Sequence, residues 1–157
     1  MALKKTRRTD WKHFLAEMSD GKTVLESKPK HYIYRQGDPA DSVFFLQRGR
    51  VKHSVTSKQG KEAIVAVLDA GVLFGEGCLV GQPLRMATAT AMTHCTLVRI
   101  GKPTMVRMLH EQRHFSELFV THLLSRSIQY GEDLVDQLFN SSELRLARIL
   151  LLISHFG

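Results

Sequence analysis

Between residues 24 and 100, the chain alternates short runs of β-branched and aromatic residues with turns that contain glycine. Such residues favour β-strands, and glycine takes the positive φ that tight turns often need. The predicted strands lie at 32–34, 43–46, 51–55, 63–68 and 96–100. Their spacing of roughly 8 to 12 residues indicates a sandwich, a jelly roll or a barrel, and strand propensity does not choose among these.

Helices are predicted on both sides of this β-rich region. Before it, Asp10 is a candidate N-cap for a short amphipathic helix with Trp11 on its apolar face. After it, Pro103 suits the first position of a helix, and a second, longer helix is predicted to begin near His114 or Phe115. Strands followed by helices indicate an α+β fold.

A heptad pattern runs along the long helix. Its apolar residues and one glycine are spaced 4, 3, 4 and 3 apart, at Leu124, Ile128, Gly131, Val135 and Leu138. This interval is typical of a helix that packs along another helix, and the glycine allows the two backbones to approach closely. We predict that these residues form a dimer interface. A single amphipathic helix that lies on its own barrel is the alternative.

Polar residues interrupt the helical pattern at 140–143. Ser141 or Ser142 can cap a new helix, which would continue through apolar residues such as Leu144, Ile149 and Ile153. Because no element follows that could cover this helix, we predict that the chain ends within the first helix of a further domain. Folding back onto the barrel or onto a second subunit is the alternative.

Composition narrows the classes of function. The 157 residues include 43% hydrophobic side chains, enough for a core, and carry a net charge of +7. Residues 1–14 contain five basic residues and one acid, so most of the excess lies in a short tail, and a domain coated by nucleic acid is a poor fit. The sequence has no apolar run of membrane length and no signal-peptide core, which predicts a cytoplasmic protein without membrane contact.

Metal binding and catalysis are not expected. Cys78 and Cys95 lie 17 residues apart without a CxxC motif, and we predict that both are buried, reduced thiols. Of the eight histidines, only His110 and His114 have the i,i+4 spacing of a ligand pair, and the sequence places no third ligand beside them. Residues 110–114 read HEQRH and so match the HExxH pattern, but without a third ligand they do not predict a metal site, and no GxSxG elbow is present.

Residues 74–91 differ from their surroundings in being rich in glycine and small residues. Gly75, Gly77 and the small Cys78 allow the backbone to turn its N–H groups toward an anion. Arg85 adds a fork of donors that can hold phosphate oxygens, and Glu76 can accept a hydrogen bond from a sugar hydroxyl. This composition suits a nucleotide pocket, although many loops with the same residues bind nothing.

The same segment resembles a known family. The motif FGE at 74–76, an interval of eight residues and the motif RMAT at 85–88 are similar to the phosphate-binding cassette of the cyclic-nucleotide-binding domain in the Crp/Fnr family of bacterial transcription regulators. The stretches 34–38 and 44–51 resemble that family's glycine-turn strands. The resemblance covers about residues 22–156. It implies a β-roll, or jelly-roll barrel, flanked by helices, then a long dimerisation helix and a winged helix-turn-helix domain.

The resemblance also implies a role for each residue of the cassette, in a predicted site that begins at Phe74. Backbone groups of Gly75, Gly77 and Cys78 would line the phosphate and the ribose. Glu76 would bind the 2′-hydroxyl, and Arg85 would pair with the cyclic phosphate.

Two positions depart from the family's pattern. Met86, followed by Ala87, stands where many members have Ser, Thr or Ala, so it offers its backbone N–H and its bulk instead of a hydroxyl. On the long helix, some relatives place a hydroxyl pair against the purine, and the nearest match in this sequence is Tyr130-Gly131. We predict that Tyr130 stacks on the base or hydrogen-bonds to it; a packing role is the alternative.

Four segments are therefore expected: a basic tail and short helix at 1–21, a cyclic-nucleotide-binding β-roll at 22–112, a dimerisation helix at 113–139, and the first helix of a truncated helix-turn-helix domain at 140–157. The implied protein is a homodimeric, non-enzymatic sensor that binds cAMP or cGMP as its effector and needs no cofactor. Specific DNA binding would belong to the full-length protein. A dimerisation module without nucleotide, or a sensor of another anion such as a cyclic dinucleotide, is the alternative.

Overall fold

The computed structural model describes residues 11–155, and within 140–155 only some of the side chains. Two compact units are formed, by Met1–Ser116 and by Glu117–Gly157. The strands are β1 (Lys22–Ser27), β2 (Tyr32–Tyr34), β3 (Ser42–Arg48), β4 (Arg50–Thr56), β5 (Glu62–Asp69), β6 (Leu73–Phe74), β7 (Thr88–Ala91) and β8 (Cys95–Gly101). The α-helices are α1 (Trp11–Glu17), α2 (Lys102–Glu111) and α3 (Arg113–His155), and a 3₁₀ helix spans Glu76–Val80.

The strands form two antiparallel sheets of four strands each, in the orders β1-β8-β3-β6 and β2-β7-β4-β5. The two sheets share one buried apolar cluster, to which the first contributes Phe44 and Leu46 and the second Val51 and Leu68. Removal of these side chains from water is the main contribution that holds the sheets together. The predicted α+β fold, a β-roll barrel with flanking helices, is confirmed.

The short helix α1 covers part of the outer face of the first sheet. Trp11 is almost completely buried, and its ring centroid lies 6.5 Å from that of Phe45 on β3 and 5.6 Å from that of Phe115. Aromatic side chains bury a large apolar area in such contacts. The predicted N-terminal helix is thus confirmed. Its candidate N-cap, Asp10, lies outside the described residues.

The last helix, α3, is continuous over 43 residues. The predicted break at 140–143, with a new helix capped by Ser141 or Ser142, is therefore wrong. Ser and Asn each cost less than about 0.7 kcal/mol in a helix interior, so the helical turns on either side can carry the helix through them. The division into a dimerisation helix at 113–139 and a further domain from 140 stays a prediction.

The heptad residues of α3 are exposed in this chain. Leu124, Ile128, Val135 and Leu138 each expose 49–60% of their surface. A Cβ added at Gly131 would meet nothing within 4 Å. No helix among residues 11–155 has the combination of length and hydropathy that a membrane span requires.

Leu46→Ala is expected to lower the free energy of unfolding by about 2–5 kcal/mol, because Leu46 is completely buried on β3 and its truncation leaves a cavity. Urea denaturation followed by tryptophan fluorescence measures the difference. Val80→Ala is the control: Val80 is 85% exposed, and its truncation is expected to change the free energy by less than about 0.5 kcal/mol. Equal effects of the two substitutions would contradict the assignment of the core.

Candidate functional site

Two glycines shape the backbone of the cassette. Gly75 directly follows β6 and takes φ +80°, and Gly81 directly follows the 3₁₀ helix and takes φ +87°. An L-residue in this left-handed region costs roughly 1–2 kcal/mol, whereas glycine adopts it freely. The first N–H groups of the helix, which have no carbonyl partner within it, come directly after Gly75.

The side chain of Arg85 is buried against this turn, with only 6% of the residue exposed. Its Nη1 donates a hydrogen bond to the Gly75 carbonyl oxygen at 3.0 Å, and its Nη2 donates to the Ser42 carbonyl oxygen at 2.7 Å. Nη2 also lies 3.2 Å from the Ser42 hydroxyl and 3.9 Å from a carboxylate oxygen of Asp41. Arg85 thus ties the cassette to the first residues of β3.

Aromatic rings complete the surroundings of the guanidinium. Its central carbon lies 4.4 Å from the ring centroid of Tyr34 and 5.5 Å from that of Phe44. The Tyr34 hydroxyl is 3.1 Å from Nε2 of His53, and the Phe44 ring is stacked on Phe74 at 5.5 Å. These contacts offset part of the cost of burying the cation.

One donor of Arg85 remains unused. Its Nε is buried and has no hydrogen-bond partner among the described residues. A Cβ added at Gly75 would lie 2.8 Å from Nη1 of Arg85, so only glycine leaves room for the guanidinium at this distance. A buried cation with a free N–H beside a turn of small residues fits an anion such as phosphate.

The turn before β3 fixes the backbone of Arg85. The N–H of Gly37 donates to the Arg85 carbonyl oxygen and the N–H of Arg85 donates to that of Asp38, each at 2.8 Å. Gly37 has φ +88°, a conformation that favours glycine. This turn, predicted from the sequence as a strand boundary, therefore also positions the cassette.

Two titratable groups beside Arg85 have shifted pKa values. The hydrogen bond from the Ser42 hydroxyl, together with the Arg99 guanidinium 2.9 Å away, lowers the pKa of Asp41. Burial raises the pKa of the Cys78 thiol, although the nearby charge of Arg85 opposes the shift. Asp41 therefore stays ionised beside the cation near neutral pH, and Cys78 stays protonated.

The other predicted residues of the cassette occupy different environments. Phe74 is fully buried and packs in the core. Cys78 is also buried, with its thiol 3.7 Å from the Ser42 carbonyl oxygen and 3.6 Å from that of Gly75. Both cysteines are free and buried, as predicted. Glu76 begins the 3₁₀ helix and is half-buried.

The segment after Arg85 leads into β7. Met86 is 66% exposed and Ala87 is half-buried. Tyr130 belongs to the second unit, on α3. There its hydroxyl accepts a hydrogen bond from Arg126, whose guanidinium carbon lies 5.2 Å from the Tyr130 ring centroid.

Sequence reasoning missed the residues that contact Arg85 from β2 and from the start of β3, chiefly Tyr34, Ser42 and the preceding Asp41. The sequence signal for them is weak. Residues 42–46 lack the alternation of a half-buried strand, and the structure buries all five. Pairing across the sheets, which brings them to the cassette, depends on contacts far apart in the sequence.

Comparisons with known proteins agree with this fold. A family model for the cyclic nucleotide-binding domain matches residues 24–112, more than half of the chain. The CRP-like cAMP-activated global transcriptional regulator of Mycobacterium tuberculosis is 24% identical over 128 residues, which cover 81% of this chain and 57% of that regulator. The human potassium/sodium hyperpolarization-activated cyclic nucleotide-gated channel 4 is 32% identical over 105 residues, which cover 67% of this chain and 8% of the channel.

Solved structures give the same result. The sensor domain of the transcriptional regulator DNR from Pseudomonas aeruginosa superimposes with a TM-score of 0.59 at 25% identity, covering 71% of this chain and 75% of that one. The c-di-GMP responsive regulator CLP from Xanthomonas campestris has a TM-score of 0.67 at 20% identity, covering 84% and 61% respectively, a likeness of fold alone. The chain therefore belongs to the cyclic nucleotide-binding domain family and has CRP-like transcription regulators among its relatives.

Proposed function

We propose that this chain binds a cyclic nucleotide, cAMP or cGMP, at the cassette of residues 74–87, and that it serves as the effector-sensing part of a transcription regulator. The observation that carries the proposal is the buried guanidinium of Arg85, which lies against Gly75 and whose Nε–H has no hydrogen-bond partner in the part of the chain that the structure describes. In a site of low dielectric, a charge-assisted hydrogen bond to phosphate is stronger than a neutral one. In this proposal Arg85 binds and orients the ligand and takes part in no catalytic step.

The residues around Arg85 take distinct roles in this proposal. The amides of Gly77 and Cys78, at the start of the 3₁₀ helix, donate to the phosphate oxygens. The Cys78 thiol contributes nothing to the ligand because it is turned toward the Ser42 carbonyl. Glu76 accepts from the ribose 2′-hydroxyl. Gly75 holds the arginine through its own carbonyl, which adds a positioning role to the backbone contact expected from the sequence.

Recognition of the base rests on the two departures from the family's pattern. Met86 is exposed beside Arg85 and offers its backbone N–H and apolar side chain. Tyr130 offers an aromatic ring on α3, provided that its contact with Arg126 opens. Neither group distinguishes adenine from guanine by charge, so the proposal covers both cAMP and cGMP.

The exposed heptad residues of α3, which form an apolar seam along the helix, support a homodimer. Two copies that pair through Leu124, Ile128, Val135 and Leu138 would remove from water apolar surface that is exposed in one chain. In a regulator that also carries a DNA-binding domain, a ligand that binds one arrangement of the dimer better than another would shift the population of DNA-binding states.

A dimerisation module without nucleotide is the second candidate. Its support is that the Arg85 Nη atoms already donate to Ser42 and Gly75, so that the side chain has a structural role in the absence of any ligand.

Arg85→Leu is expected to weaken nucleotide binding at least roughly 30-fold, because it removes the charged partner of a buried phosphate. Calorimetric titration with cAMP and with cGMP measures the effect. Arg50→Leu is the matched control, since Arg50 is an exposed arginine whose ion pair is with Asp69. Because Arg85→Leu also removes the internal hydrogen bonds to Gly75 and Ser42, Glu76→Gln is a second variant, whose affinity for the nucleotide is expected to fall roughly five- to tenfold through a weaker ribose contact. No binding by the folded unmodified chain would favour the module without nucleotide.

Gly75→Ala is expected to weaken nucleotide binding roughly tenfold or more relative to Gly81→Ala, by displacing the donors of Arg85. Both substitutions place alanine at a positive φ, but only at Gly75 would the new Cβ meet Arg85, at 2.8 Å; at Gly81 it would meet nothing within 4 Å. The two variants are compared by calorimetry after thermal unfolding has shown that both are folded. Equal losses of affinity would show that the approach to Arg85 is irrelevant to binding.

Ile128→Glu is expected to shift the chain from dimer to monomer, because a carboxylate in an apolar helix seam must be desolvated. Sedimentation velocity over a concentration series measures the shift. Gln137→Glu adds the same charge on an exposed residue of α3 away from the seam, and the dimer should tolerate it. A dimer that survives Ile128→Glu would place the interface elsewhere.

A further inference from the structure

A cleft lies on the outer face of the first sheet, beside α1. Its volume is about 550 Å³, within the range of small-molecule sites. Its lining comes from α1 and from strands β1, β3 and β8, and includes none of the cassette residues. The cleft is therefore separate from the proposed nucleotide site.

The floor of the cleft is apolar and open to solvent. Val24 of β1 lies opposite Val98 of β8 in the strand register, and Leu15 of α1 completes this surface. Val98 and Leu15 are buried, but Val24 is 59% exposed although it lies inside a paired strand. A ligand with an apolar portion would bury this valine and gain the corresponding hydrophobic free energy.

The rim of the cleft is positively charged. Lys12 of α1, Lys22 of β1 and Arg48 of β3 line it, together with two neutral polar residues, Gln47 and Thr96, and no carboxylate does. Among residues 11–155, no acidic side chain forms an ion pair with these three cations. The ammonium of Lys22 donates to the Leu15 carbonyl, which fixes it where α1 meets the sheet.

The neighbouring acid and the N-terminal tail do not supply the missing negative charge. On β1, Glu26 lies 3.5 Å from His94 and accepts a hydrogen bond from Thr96 at 3.2 Å. Residues 1–10 contain four basic residues and one acid in the sequence, so their net charge has the same sign as that of the rim. Charge complementarity therefore favours a separate, anionic ligand.

We propose that this cleft binds an amphiphilic anion, specifically an aliphatic carboxylate of medium chain length. The hydrocarbon chain lies on Val24, Leu15 and Val98. The carboxylate lies at the rim, within reach of Arg48 and Lys12, where arginine can hold it with two hydrogen bonds.

The test is a calorimetric titration of the whole chain with decanoate, below the concentration at which it forms micelles, supported by the fluorescence of Trp11, the single tryptophan. We expect saturable binding of one decanoate per chain that weakens as salt is added. Arg48→Gln is expected to weaken it roughly two- to fivefold. Val24→Glu, which places a carboxylate on the floor, is expected to weaken it at least roughly tenfold. Lys58→Gln removes an exposed cation from the turn between β4 and β5 and should have no effect.

Several results would overturn the proposal: no saturable binding of decanoate, equal affinity for uncharged decanol, or unchanged affinity in both cleft variants. A fall in self-association in Val24→Glu without decanoate would instead make this face a contact between copies of the chain. Arg85→Leu should bind decanoate normally, provided that it is folded. Decanoate binding and nucleotide binding can therefore fail separately.

Discussion

The hydrogen bonds of Arg85 connect parts of the chain that are far apart in sequence. The guanidinium joins the carbonyl of Gly75, directly after β6, to that of Ser42, at the start of β3. The backbone of Arg85 pairs with the turn at Gly37 and Asp38. A buried cation is stable only where its donors find acceptors, and these carbonyls supply them. These bonds preorganise the cassette, which lowers the conformational entropy that would be lost when an anion binds.

The sequence predicted the fold because its local signals agree. Glycine turns, β-branched runs and the proline in the first turn of α2 all indicate a small β-roll followed by helices, as observed. The prediction of a helix break at 140–143 was wrong: Asn and Ser suggested the cap of a new helix there, but α3 continues through them. Capping residues mark where a helix is able to begin; a helix already formed on both sides continues through them at little cost.

The candidate site was only partly predictable. Glycine and arginine in this segment suited a nucleotide pocket because they allow a backbone turn and hold an anion, but it was the resemblance of the motifs at 74–76 and 85–88 to the cyclic-nucleotide-binding domain that singled out the cassette. The inward bonds of Arg85, its contact with Tyr34 and the burial of the Cys78 thiol arise from strand pairing and were not visible in the sequence. The outer cleft beside α1 was missed for the same reason, since Lys12, Lys22 and Arg48 meet only in the folded chain.

Anion binding by the cassette is tested most directly by nuclear magnetic resonance of the ¹⁵N-labelled chain during titration with cAMP and then with cGMP. The backbone amides of Gly77 and Cys78 and the Nε–H of Arg85 are expected to move together, with one dissociation constant, because each gains an acceptor from the phosphate. If these three resonances stay fixed while the chain is folded and the nucleotide is in excess, the cassette does not hold the phosphate.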